Sequence, residues 1–314
     1  MLASFRQRPV WALIFLAVLL RFGTFYPSVI NHDESTYIVI ADEMLHGQAY
    51  WIDVIDTKPV GIFLVYALMI LLTGGSIIGM RLLSTVVIGL TAGLLFHLNR
   101  RASGSERVGW AAGIGYIFLT SIFAFYGLSP NTEQFFNLFT VGAMVLIWPP
   151  RRRWWIYALA GLLLGIGFMI KSVVAADAFA VGSLLLWRGI RNRDWWAAIV
   201  HHCTPLTVTF FIPVLLVYSY YWLSGHGDRF LFYTFELPGR YALEVPWWEP
   251  LRYMGDFLGR FFPFTLLAIF AWRERRETDH LWQAFNLWWF ACVTFMILLP
   301  GKSFGHYQIQ LMPA

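Results

Sequence analysis

Charge is scarce in this chain: Asp, Glu, Lys and Arg make up 13% of its 314 residues, against 58% hydrophobic. With a mean hydropathy of +0.59, that shortage excludes a soluble domain of this length. Cysteine is nearly absent. Cys203 and Cys292 both fall inside hydrophobic stretches and belong to no CxxC pair, which excludes a disulfide framework and a thiolate zinc site. Internal repeats and low-complexity linkers are missing too. The net charge of +5 does not mark a nucleic-acid binder, because the arginines sit between hydrophobic runs, where they act as topology signals.

What the chain has instead is a series of long apolar segments, so the expected fold class is an all-α polytopic membrane protein. Arg6 and Arg8 precede an apolar run at 11–26 that has the outline of a signal peptide, but Arg21 interrupts it and no small-residue cleavage site follows; it reads as an uncleaved first helix with a cytoplasmic N-terminus. Further spans are expected at 77–98, 108–126, 135–148, 154–170, 173–187, 195–223, 257–272 and 281–299. The segment 59–73 is apolar but shorter than the roughly 20 residues a crossing needs. If it spanned, Arg100, Arg101 and Arg107 would lie outside; as an interfacial or re-entrant helix it leaves every arginine-rich loop in the cytoplasm.

On that topology Arg100, Arg101, Arg107, Arg151, Arg152, Arg153, Arg188, Arg191, Arg193, Arg273, Arg275 and Arg276 mark one face, and Asp33, Glu34, Asp53, Asp56 and Glu133 the other. The organisation expected is a single transmembrane domain over 1–314, with a first outer loop at 27–76 carrying juxtamembrane helices and a second large outer loop at 224–256. A new apolar stretch begins at the end of the sequence, so the chain is expected to be the N-terminal portion of a longer protein.

The acidic outer face holds the candidate chemistry. Asn31-His32-Asp33-Glu34 opens a stretch with helical apolar spacing, where Asn31 and Glu34 fit a capping box and Asp33 sits where a helix dipole favours the ionised form. Such a carboxylate can accept a proton from a hydroxyl. Lys58, in Asp56-Thr57-Lys58-Pro59, either holds a phosphate or snorkels to the headgroups. Asn131 and Gln134 fit a second capping box, leaving Glu133 to complement the helix dipole or to serve as a second active-site carboxylate. In the latter role it would orient the acceptor or, with Asp33, hold a divalent cation as cofactor. Lys171 ends a helix on the same face and either pairs with Asp177 or binds phosphate. Arg240, Arg252, Arg260 and the loop 301–307 share that face. His201-His202 lacks a further ligand at a useful spacing and is not read as a metal site. The aromatics of the second outer loop, Tyr241, Trp247 and Trp248 among them, read as interfacial anchors, a few of which could meet sugar.

In this order the motifs resemble the lipid-linked-sugar glycosyltransferases of the GT-C fold, and within them the bacterial protein-mannosyltransferase and aminoarabinose-transferase-like family. The resemblance covers nearly the whole chain and rests most on His32-Asp33-Glu34, Asp56-Thr57-Lys58-Pro59 and the run 161–171. One departure is Val60, where the family usually has a second proline. The resemblance implies a sugar moved from a polyprenyl phosphate to a lipid, glycan or protein acceptor on the outer face of the inner (plasma) membrane, with no nucleic-acid partner. It implies Asp33 as base beside Glu34 and Glu133, and Lys58, Lys171, His306 and Tyr307 near the donor phosphate. The competing readings are a transporter or flippase for an anionic lipid-linked substrate, which would bind through Lys58, Lys171 and Glu133 without reacting, and an O-antigen-ligase-like enzyme. The lack of repeats speaks against the transporter.

Overall fold

The computed structural model describes residues 9–28, 30–122, 127–148, 150, 153–241, 246, 248–273, 280–299 and 305–314. Arg6, Arg8, Arg151, Arg152, Arg275, Arg276, Trp247, the end of the expected span at 123–126 and the loop residues 301–304 lie outside the described residues. The described residues are helical, with no strand among them.

The long helices are α1 (Pro9–Arg21), α2 (His32–Leu45), α3 (Gly61–Thr73), α4 (Ile77–Ser103), α5 (Glu106–Thr120), α6 (Thr132–Ile147), α7 (Trp154–Ile170), α8 (Ala175–Arg191), α9 (Trp195–Leu223), α10 (Glu249–Arg260), α11 (Phe262–Arg273) and α12 (His280–Leu298). Four segments are long and apolar enough to cross a bilayer: α4, α9, α12 and Ser172–Arg191, which joins a short 3₁₀ turn to α8. α4 shows how such an element is delimited. Ser76 caps its start by accepting the Gly79 N–H, and Gly104 ends it at φ 69°, a left-handed angle that glycine adopts without strain.

Two glycine pairs set how closely the helices approach. Gly161 and Gly165, one turn apart on α7, lie against the α9 backbone at Leu206 and Phe210, where a Cβ would collide with carbonyl oxygens. Gly89 and Gly93 let α4 meet α1 in the same way, with Ile14 Cα 2.6 Å from where a Gly89 Cβ would be. Small residues at this spacing are how helices gain contact in a membrane, where no water drives them together.

The segment expected to lie in the interface is the 13-residue helix α3, about 20 Å long and shorter than a bilayer's hydrocarbon core. Ile62, Phe63 and Tyr66 are buried on one side, while Leu64, Leu68 and Leu71 are exposed on the other. Its Gly61 abuts the Met169 backbone near the end of α7, which brings the end of the segment that precedes α3 close to Lys171.

One expected boundary shifts. The span expected at 257–272 is two helices, α10 and α11, that meet at Phe261. Arg252, Asp256 and Arg260 recur every fourth residue along α10, with Asp256 and Arg260 paired at 2.7 Å. A charged stripe of that kind keeps a helix at an interface and out of hydrocarbon. The region expected as a second outer loop is helical over part of its described residues, at Gly227–Leu231, through a π turn at Phe232–Glu236, and at Leu237–Tyr241.

Candidate active site

Helix α2 begins at a cap that needs only half of the expected box. Asn31 is extended (φ −146°, ψ 145°) and its side chain accepts the Asp33 N–H at 3.2 Å. Glu34 does not turn back to close the box. It points into the bundle, where Arg81 of α4 donates to both its oxygens, at 2.7 and 2.8 Å. Arg81 also donates to the carbonyls of Thr24 at 3.0 Å and Pro27 at 2.5 Å. A guanidinium matches a carboxylate with two parallel bonds, so a buried Glu goes to it in preference to a backbone N–H.

Asp33, adjacent but turned by about 100° around the helix axis, faces a different set of partners. Lys58 Nζ is 3.2 Å from Asp33 Oδ1 and 3.3 Å from Asp56 Oδ1, and the same ammonium lies 5.2 Å from the centre of the Tyr37 ring. On the other side His306 Nε2 is 3.8 Å from Asp33 Oδ2. The Asp33 carboxylate keeps about a quarter of its surface open, at 27%.

A second acid and base stand next to this pair. Glu133 occupies the first turn of α6, is 1% exposed, and forms an ion pair with Lys171 while accepting from Thr132 Oγ1 at 3.0 Å. The second expected capping box does not form: Asn131 makes no side-chain cap, and Gln134 donates to Ser129 O at 2.9 Å and accepts from Ser84 Oγ at 2.9 Å. Asn31 Nδ2 donates to Asn131 Oδ1 at 3.3 Å, tying the two acidic turns together. Lys171 ends α7 in an extended conformation, with its ammonium 4.0 Å from the Tyr307 ring centre. It does not pair with Asp177, whose oxygens accept from Trp289 Nε1 at 2.6 Å and Gln310 Nε2 at 2.7 Å. Lys171 is satisfied by the Glu133 carboxylate and Asp177 by two neutral donors, so the pair expected from sequence does not form.

His306 and Tyr307 reach the cluster on the 3₁₀ segment Gly305–Leu311. Asn137 Nδ2 holds that segment through Ile309 O at 3.0 Å, and Gln310 anchors it to Asp177. Burial pushes the His306 imidazole below its ordinary range; Glu133 and Asp33 work against that shift, Lys171 and Lys58 with it. The ring is therefore neutral at pH 7.

Asp33, Lys58, Glu133, Lys171, His306 and Tyr307 thus meet, while Glu34 is turned away into its pair with Arg81. Among the described residues no group of three His, Cys, Asp or Glu side chains is arranged to hold a metal. Arg240 and Arg260 sit apart in exposed pairs with Glu236 and Asp256, and the His202 ring packs 4.3 Å from that of Tyr157.

Two supporting residues escape motif reading. Arg81, a buried cation near the start of α4 and far from Arg100 and Arg101 at its end, carries the one signal available: an ionisable group within an apolar stretch has a task. Arg21 has the same signature. It is buried at the end of α1, where it donates to Thr120 O at 2.9 Å, Gly127 O at 2.7 Å and Leu128 O at 2.9 Å, and so ties the end of α5 to the turn that leads to Glu133.

Residues 57–218, just over half of the chain, match the family described as dolichyl-phosphate-mannose-protein mannosyltransferase. That match takes in Lys58, Glu133 and Lys171. The chain is similar to undecaprenyl phosphate-alpha-4-amino-4-deoxy-L-arabinose arabinosyl transferase 1 of Pseudomonas fluorescens Pf0-1, with 25% identity over 96% of this chain and 54% of that protein. It is also similar to the arabinosyl transferase of the same name from Pseudomonas aeruginosa UCBPP-PA14, with 26% identity over 98% of this chain and 58% of that protein. The chain spans about half the length of the curated relatives it matches. No solved structure matches it. By the extent of the family match, and with three of its clustered ionisable residues inside it, the chain belongs to the dolichyl-phosphate-mannose-protein mannosyltransferase family.

Proposed function

We propose that this chain carries the active site of a membrane glycosyltransferase that moves a sugar from a polyprenyl-phosphate donor to an acceptor hydroxyl or phosphate by a single inverting displacement. The observation that supports it most is the partly open Asp33 carboxylate set among Lys58, Lys171 and a neutral His306. A base and cations in one place are what the reaction needs. The relatives' names supply the donor class, an undecaprenyl phosphate bearing an aminosugar.

With a hydroxyl acceptor, Asp33 takes its proton and the freed oxygen attacks the anomeric carbon; an ionised phosphate acceptor attacks directly. The bond from that carbon to the phosphate oxygen breaks, and its electron pair leaves with the polyprenyl phosphate. Lys58 and Lys171 meet the charge that develops there, with Tyr307 and His306 shaping that side of the site. Glu133 holds Lys171 in place. Glu34 has a supporting part only, because Arg81 occupies both its oxygens.

The cluster is assigned to the outer face of the inner membrane, since the arginine-rich loops lie at the other ends of the helices. The domain reading follows: one transmembrane domain over 1–314, with the outer segments 27–76 and 224–256 bordering the site. The test is sugar transfer from radiolabelled undecaprenyl-phosphate sugars by the purified protein in detergent. Transfer that disappears in Asp33→Asn supports the reading. Binding of the lipid with no transfer to any acceptor, together with its translocation by the protein in sealed liposomes, would replace it with a transporter.

A further inference from the structure

Trp51 adopts φ 62°, in the left-handed region that a bulky residue rarely enters, and its side chain is fully buried. A strained conformation persists only when its surroundings over-determine it, and here each part of the residue is held. Its N–H donates to Val54 O at 2.7 Å, its indole Nε1–H donates to Asp56 O at 3.0 Å, and its carbonyl accepts from Arg229 Nη1 at 2.8 Å. The ring stacks on Tyr233 at 5.6 Å and 12°, with Phe230 edge-on at 5.9 Å.

Its neighbour Tyr50 is held in parallel. The Tyr50 hydroxyl lies 2.5 Å from Lys58 O and 3.0 Å from Asp56 O, and its carbonyl accepts from Tyr221 Oη at 2.6 Å. The polar tips of these two aromatic side chains therefore end on the backbone of the two residues whose side chains meet, Asp56 and Lys58. On their other side both are gripped by the end of α9 and the helical segment after it, far along the chain. Packing alone would need only an apolar ring; the left-handed turn is what aims the indole N–H at the Asp56 carbonyl.

We infer that Trp51 is a positioning residue for Lys58, braced by Arg229, so that the second outer segment sets where the first loop presents its ammonium. This rests on the reading of Lys58 as a donor-phosphate contact. The two outer segments then act as one unit in lipid-phosphate binding.

The test is equilibrium binding of undecaprenyl phosphate to the full chain purified in detergent, which needs no turnover. Trp51→Phe keeps a buried ring and removes the N–H, and should raise Kd about 5- to 10-fold. In a Lys58→Ala background it should change Kd no further, whereas in a Lys171→Ala background the same factor should remain, because only the first pair is coupled. Arg229→Gln should repeat the pattern from the other side of the brace, and carries the test if Trp51→Phe does not accumulate. A penalty that persists undiminished in Lys58→Ala overturns the inference in favour of general packing. So does a Kd within twofold of normal for both Trp51→Phe and Arg229→Gln when Lys58→Ala itself weakens binding. If Lys58→Ala leaves Kd unchanged, the assignment of Lys58 fails first and the inference falls with it.

Discussion

Arg81 holds both oxygens of Glu34, at 2.7 and 2.8 Å, and by fixing that side chain in the bundle it leaves the adjacent Asp33 facing the ionisable cluster. Two neighbouring carboxylates are thereby given different work. Both partners of the pair are almost fully buried, at 2% and 4% exposure, so removing one strands the other's charge. Glu34→Ala should cost about 3–5 kcal/mol of stability. Thermal unfolding in detergent should show a large drop for Glu34→Ala, which a paired Glu34→Leu/Arg81→Met replacement largely recovers.

The buried His306 gives a pH dependence whose sign is fixed. Its folded value lies below the ordinary imidazole value of 6.5, so between the two the unfolded chain binds more protons than the folded one. Its contribution to stability is in full above 6.5 and is lost as pH falls through the lowered folded value. Unfolding midpoints measured downward from neutral pH should decline more steeply for the wild type than for His306→Gln. Parallel profiles would mean that the ring titrates as it does in the unfolded chain.

Part of this arrangement can be read from the sequence, because a membrane chain puts few ionisable groups outside its arginine loops and several of those few meet, while Glu34, Arg240 and Arg260 pair elsewhere. Asp33, Lys58, Glu133 and Lys171 were each visible as a carboxylate or ammonium at the end of an apolar run. Their pairing was not. Lys171 had Asp177 nearby in sequence and Glu133 far away, and only the packing of α6 on α7 decides between them. The capping boxes failed for the same reason: local spacing offered Glu34 and Gln134 a backbone partner, while Arg81, Ser84 and Ser129 O supplied better ones across the bundle. The break at Phe261 was hidden because the 257–272 window is apolar on average, and the charged stripe that ends before it is visible only when α10 is read as one helix.

Orientation gives a third expectation. With Cys203 and Cys292 replaced by serine, a cysteine-bearing tag after Gly47 should react with an impermeant maleimide in intact cells, and a tag after Ser103 only after lysis, because Arg100, Arg101 and Arg107 hold that loop inside. Labelling at Ser103 in intact cells would mean that α3 crosses the membrane, which would put Glu133 and Lys171 on the opposite side from Asp33 and Lys58 and contradict the cluster.

The central claim is that the Asp33 carboxylate removes the acceptor proton, and the most direct measurement is single-turnover transfer by Asp33→Asn with donor and acceptor saturating. Asparagine keeps the size of the side chain at the start of α2 and leaves the Asn31 cap and the Glu34–Arg81 pair in place, so the variant should fold and still bind undecaprenyl phosphate. It cannot take up the proton. The account predicts a loss of about 10²-fold or more in the rate of transfer. A rate within a few-fold of wild type, in protein that unfolds at the wild-type temperature, would contradict it and leave Asp33 as no more than a partner for Lys58.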